Sequence, residues 1–155
     1  MLNMEKIQFI EPAVLHDEML RLRNDRQMDF LECLTGMDWG VPDEKDEPDT
    51  PRGLGVVYHL ESSVTGERVV VRTATTDREH PEIPSVCDIW KAADFNEREV
   101  YDYFGIVFIG HPDMRRLYLR NDWMGYPMRK DNDPEKENPL RMDNEETIDS
   151  TVELE

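Results

Sequence analysis

The chain has 155 residues, with 18 Lys and Arg against 35 Asp and Glu for a formal net charge of -17, and it is 38% hydrophobic and 34% charged. That length and apolar share suit one modest core rather than two, and so acidic a balance argues against a nucleic-acid backbone as main partner, because phosphate binding requires concentrated cations. No apolar run approaches the ~20 residues that cross a bilayer, the opening residues lack the pattern of a secretion signal, and Cys33 and Cys87 cannot form a metal cage by themselves, so a reduced, cytosolic setting is expected.

Residues 12–23 read as a short helix, with Val14, Leu15, Met19 and Leu22 gathered on one side. Residues 30–34 fit a strand or a helical turn equally well, and residues 36–40 are expected to turn outward. The stretch 40–53 holds three prolines, two glycines and six charges before Arg52. It has little to bury and should be an exposed loop. Residues 55–61 and 67–73 read as strands, joined by a turn short enough to pair them antiparallel. In the second, Val69 and Val71 share one face while Arg68, Val70 and Arg72 share the other. An amphipathic sheet requires a helical layer over its apolar face. The expected fold class is therefore α+β: a two-layer domain with a mixed, mainly antiparallel sheet covered by helices, plus an extended C-terminal tail.

Pro81 and Pro84 stiffen the connection that follows. Asp94 precedes Glu97 by three residues, the spacing of a capping box. The helix it opens should run to Phe104 and stop at Gly105. Within it Arg98 lies four residues before Asp102, the spacing of a local ion pair. Residues 106–109 read as a last strand, ending at Gly110, His111 and Pro112.

Charge divides the chain into three parts: a net -12 over residues 1–112, +3 over 113–130 and -8 over 131–155. The first is read as the core domain, with the acidic loop at 40–53. In the second, Tyr118, Trp123 and Tyr126 interleave with Arg115, Arg116, Arg120, Arg129 and Lys130. Arginines offer bidentate contacts to carboxylates while aromatic rings exclude water around them, so this segment reads as a protein-docking surface before a nucleic-acid one. The acidic third part has little apolar area to offset its ordering entropy, and is expected to be disordered or laid along a partner.

Cofactor chemistry finds no support. There is no Cys-x-x-Cys pair, no Gly-x-Gly-x-x-Gly and no Walker sequence. The histidines are scattered in a spacing that matches no zinc ligand set, and His111 reads first as a structural group at the Pro112 turn. An independent hydrolase using Glu97, Glu99 or Asp102 with His111 would require those side chains to converge in a pocket.

The run Glu97-Arg-Glu-Val-Tyr-Asp-Tyr-Phe-Gly-Ile-Val-Phe-Ile-Gly-His-Pro-Asp-Met-Arg-Arg116 resembles the signature of the small soluble C-type subunit of respiratory complex I, the NADH-quinone oxidoreductase family. Stretches 34–39, 56–60, 83–90 and 122–131 are similar to other landmarks of that family, so the resemblance covers about residues 34–131. Tyr126 departs from it where histidine is common, and Asn132 where an aromatic is usual.

The resemblance implies a non-catalytic structural and assembly subunit of the peripheral arm of a proton-translocating NADH-quinone oxidoreductase. Such a chain belongs to an enzyme, a translocase, without catalysing alone. It implies no catalytic, cofactor-binding or metal residues here. The assembled complex would use iron–sulfur clusters and quinone, with FMN and NADH where the donor module is of that type. Expected partners are the large quinone-site subunit and the cluster-bearing subunits, with no nucleic acid and no membrane span, at the cytoplasmic face of the cell membrane. The alternative is the equivalent subunit of a ferredoxin-dependent complex or membrane hydrogenase. Glu97, Arg98, Glu99, Asp102, Gly105, His111 and Pro112 match the family's signature positions. Arg115, Arg116, Tyr118, Trp123, Arg129 and Lys130 are the expected partner-docking residues.

Overall fold

The structure, a computed structural model, describes residues 6–40 and 51–133. Most of the expected exposed loop and nearly all of the expected tail lie outside the described residues. In chain order the elements are β1 (Lys6–Phe9), α1 (Pro12–Asp25), β2 (Phe30–Gly40), β3 (Gly53–Glu61), β4 (Arg68–Thr75), β5 (Glu82–Pro84), α2 (Ala93–Phe104) and β6 (Val107–Ile109).

Four strands form one sheet in the order β1-β4-β3-β2. β2 and β4 each pair antiparallel with β3, whereas β1 joins β4 in parallel, with Phe9 opposite Arg72. β5 and β6 make a separate parallel pair. Both helices lie on one face of the larger sheet, which makes a two-layer α+β domain. Alternation places Leu31, Leu34, Leu54, Val56, Tyr58, Leu60, Val69 and Val71 in one core with Leu15, Met19 and Leu22 of α1 and Val100 and Phe104 of α2. The indole N–H of Trp90 ties this core to the end of α1 by donating to the Met28 carbonyl at 3.0 Å.

Three local expectations change. Residues 36–40 do not turn outward: β2 continues to Gly40, whose φ of +86° ends it. The missing side chain at Gly36 leaves room for the Phe104 ring against the strand, and a bulge between Leu31 and Cys33 keeps the apolar positions inward. Val14 faces solvent while Leu15, Met19 and Leu22 are buried, because one residue along a helix turns the side chain by about 100°. Val70 is buried although it lies on the face away from the helices.

Helix α2 ends where expected. Gly105 takes the left-handed conformation, φ +72°, and its N–H donates to the Tyr101 carbonyl at 2.8 Å. Glycine suits this position because it alone lacks the Cβ that clashes there.

Candidate functional site

Helix α2 carries three polar side chains into the interior, Glu97, Arg98 and Asp102. Each is bound by the chain on either side of the helix. The expected capping box does not form. α2 begins at Ala93, no side chain caps it, and Glu97 points inward to the segment before the helix. There its carboxylate accepts from the Val86 N–H at 2.8 Å, the Ser85 hydroxyl at 2.6 Å and the Cys87 thiol at 3.4 Å. Burial raises the Glu97 pKa above the ordinary carboxylate value, against the opposing pull of those donors.

Cys87, Glu97 and His111 bring three donor atoms within 4.8 Å of one another. A metal would need a lone pair that the imidazole has already committed. The Asp113 N–H can only donate, so His111 Nδ1 accepts it at 3.0 Å and the ring proton sits on Nε2, 3.1 Å from the Asp94 carbonyl. The Cys87 thiol is pushed up to about 11, first by burial and also by the Glu97 charge, which keeps it protonated at neutral pH. The arrangement braces the turns on either side of α2.

The raised Glu97 pKa has a measurable consequence. Below the unfolded-state pKa of about 4.3 both states hold the proton; as pH rises through the folded-state value, native stability contributed by the neutral acid is lost. Relative to Glu97→Gln, the wild type should therefore lose stability as pH increases across that window and level off above it. Urea denaturation of both proteins over a pH series checks this, and parallel curves would contradict it.

Arg98 does not pair with Asp102. Its guanidinium, over the Phe95 ring, donates Nε to the Arg115 carbonyl at 3.2 Å and Nη2 to the Arg116 carbonyl at 3.3 Å. Asp102, fully buried, instead collects three successive amides, those of Leu117, Tyr118 and Leu119, at 3.1, 2.7 and 2.9 Å, together with Arg116 Nη1 at 2.9 Å. Burial acts to raise its pKa, but those amides and the guanidinium more than offset it and hold the carboxylate below its ordinary value.

Arg116 also donates to the carbonyls of Asp102, Trp123 and Gly125. Arg129 donates to the carbonyls of Phe104 and Arg78 at 2.5 and 2.9 Å. Both guanidinium groups lie over the Tyr126 ring, at 5.3 and 4.7 Å from its centre. Two arginines expected to reach a partner thus spend their donors inside this chain. They pin residues 113–130 to α2.

A second carboxylate completes the attachment. Asp38, buried at the end of β2, binds Arg78 through both oxygens at 2.9 and 2.8 Å and accepts the Lys130 and Gly40 amides at 2.8 Å each. Arg78 also reaches Asp131 at 2.9 Å. Burial opposes ionisation of Asp38, yet the Arg78 guanidinium and the two amides hold its pKa well below the usual range. The sequence reading missed this pair. Its one signal is a charge between Met37 and Trp39 in a stretch otherwise fit for a strand.

What remains exposed on the segment is different. Tyr118 stacks on Tyr103, ring centres 6.1 Å apart, yet is 63% exposed, and Met124 and Met128 are 55% and 57% exposed. The Arg115 and Lys130 side chains are exposed as well, whereas Trp123 is half-buried. Among the described residues, Arg115 and Arg120 pair locally, with Asp113 and Asp122. Glu99 and Pro112 face solvent. Glu97 lies near His111, while Glu99 is exposed and Asp102 is held by Arg116 and the amides of residues 117–119. Two clefts among the described residues, of about 360 and 180 Å³, lined by Phe9 and Arg52 with their neighbours and by residues 125–132, include none of the four.

Residues 9–138 match the family described as respiratory-chain NADH dehydrogenase, 30 Kd subunit. The chain belongs to that family. It is 78% identical over 152 residues to the C/D subunit of NADH-quinone oxidoreductase from Bacteroides fragilis, a match covering 98% of this chain and 29% of that protein. To the C-type subunit of the same enzyme from Chloroherpeton thalassium it is 42% identical over 129 residues, 83% of this chain and 47% of the relative. The chain therefore spans less than half the length of either of these curated relatives. Among solved structures, a trypsin-resistant fragment of Nqo5 superimposes with a TM-score of 0.57 at 36% identity, over 68% of this chain and 79% of that one. A chain of the archaeal membrane-bound sulfane sulfur reductase shares the fold, with a TM-score of 0.65 at 23% identity, over all of this chain and 86% of that one.

Proposed function

We propose that this chain is a non-catalytic accessory part of the peripheral arm of a quinone-reducing respiratory complex, holding in register the neighbours that carry iron–sulfur clusters and form the quinone site. Family membership supports the setting. The observation that carries the role is the segment 113–130, braced from within by Asp102, Arg116 and Arg129 while Tyr118, Met124 and Met128 stay exposed. A preformed apolar ridge avoids the ordering cost that a flexible loop would meet on binding. On this reading Arg115, Tyr118, Trp123 and Lys130 meet the large quinone-site neighbour, and Arg116 and Arg129 act from behind them. The redox groups belong to the other chains. No helix among the described residues is long and apolar enough to cross a membrane.

The double variant Arg115→Glu, Tyr118→Ala alters exposed groups and is expected to melt as wild type does. Its incorporation into the complex, read on native gels, should fall at least about thirtyfold, as for loss of a hot spot worth about 2 kcal/mol. Unchanged incorporation would remove the docking role.

A further inference from the structure

The larger sheet has a second face, turned away from both helices, whose residues do not match a solvated surface. Across it lie Cys33, Thr35, Met37 and Trp39 of β2, Gly55, Val57 and His59 of β3, Val70, Arg72 and Ala74 of β4, and Ile7 and Phe9 of β1, with Cys33 and Thr35 exposed beside an apolar majority. A sheet face left in water normally alternates to polar side chains. Here Ile7, Phe9 and Met37 are 59%, 46% and 39% exposed, and they flank Val57 and Val70, which their neighbours already bury. β3 reads as a near-continuous apolar run, the pattern of a strand covered on both sides. Gly55 contributes by leaving its outer face open for the Trp39 indole, which extends the apolar floor toward Ala74.

The charge on this face runs against the rest of the chain. Arg68 pairs with Glu61 at 3.2 Å. Arg72, between Val57 and Phe9 in the register, has no carboxylate partner among the described residues, and its Nε is buried without an acceptor. In a chain of net charge -17, the open face carries a surplus cation.

We infer that the helix-free face of the β1-β4-β3-β2 sheet is a second docking surface, and that it takes an apolar segment of a neighbouring subunit bearing a carboxylate opposite Arg72. Apolar side chains of that segment cover Ile7, Phe9 and Met37, and the carboxylate supplies the charge that Arg72 lacks. The inference rests on the proposal that the chain is an assembly part, and adds the sheet face opposite the helix α2 to which residues 113–130 are pinned. An arm built this way would be gripped on two sides.

Hydroxyl-radical footprinting of the isolated chain and of the assembled complex, read by mass spectrometry, tests it. Protection of Phe9 and Met37 by about tenfold or more on assembly is expected. Protection of Tyr118 and Met124 without Phe9 and Met37 would overturn this inference and leave the docking role standing; protection of neither pair would overturn both. A photo-crosslinking residue at position 9 then identifies the cover. A peptide that belongs to a different protein of the complex and contains Asp or Glu supports the inference. A peptide without a carboxylate, a second copy of this chain, or this chain's own residues 41–50 or 134–155 would overturn it.

Discussion

Asp102→Ala is expected to destabilise the domain by about 3–5 kcal/mol, the range for leaving a buried charge without its partner. The substitution strands three amides and the Arg116 guanidinium, which is itself only 13% exposed. Asp102→Asn keeps an acceptor and loses the charge, so its cost should be smaller, about 1.5–3 kcal/mol. Urea unfolding measures both. The same variants should expose residues 113–130 to trypsin at Arg116, Arg120 and Arg129 before the core unfolds. A variant that melts early but cleaves no faster would mean that the carboxylate serves the core alone.

Acid should imitate the mutation. The Asp102 and Asp38 carboxyls are both held below their ordinary value in the folded chain. A lowered native pKa contributes stability that is present above the unfolded value of about 3.9 and is lost as pH falls through it toward the native value. Wild type should therefore weaken steeply on acidification, and Asp102→Ala less steeply. Glu97 works in the opposite direction, since its native pKa is raised. Equal acid slopes in wild type and Asp102→Ala would contradict the assignment.

Gly105→Ala is the second large effect, arising from shape rather than charge. A left-handed backbone costs an L-residue about 1–2 kcal/mol. The new Cβ would also be driven into the Tyr126 ring, and overpacking of that kind costs about 1–3 kcal/mol. A total of about 2–5 kcal/mol is expected by the same two principles. Displacing Tyr126 also disturbs the ring on which Arg116 and Arg129 rest. The variant should thus lose incorporation into the complex together with stability, unlike Arg115→Glu, Tyr118→Ala, which should lose incorporation alone.

The two carboxylates explain why the docking residues divide as they do. A spacing argument places Arg98 beside Asp102 on one helix. In the fold, the same arginine turns to the carbonyls of Arg115 and Arg116, and Asp102 is taken by amides fifteen to seventeen residues ahead. Orphan amides compete well for a buried carboxylate, because in the interior each lacks water as an alternative. Likewise the Arg78 fork beside Asp38 joins residues forty apart in sequence, a pairing with no local signature.

The sequence by itself determined the α+β class, the helix at α1, the end of α2 at Gly105, the antiparallel pairing of β3 and β4, and the family. Each rests on periodicity, a turn residue or a long contiguous motif, all of which act over a few neighbours. Only the tertiary structure decided that β1 joins β4 in parallel, that β2 stays in the sheet to Gly40, and that Glu97 leaves its cap for the Ser85 turn. It also decided which cations are spent inside and which face outward. Those outcomes depend on groups brought together across the chain, where burial removes water and the nearest donor wins over the nearest in sequence.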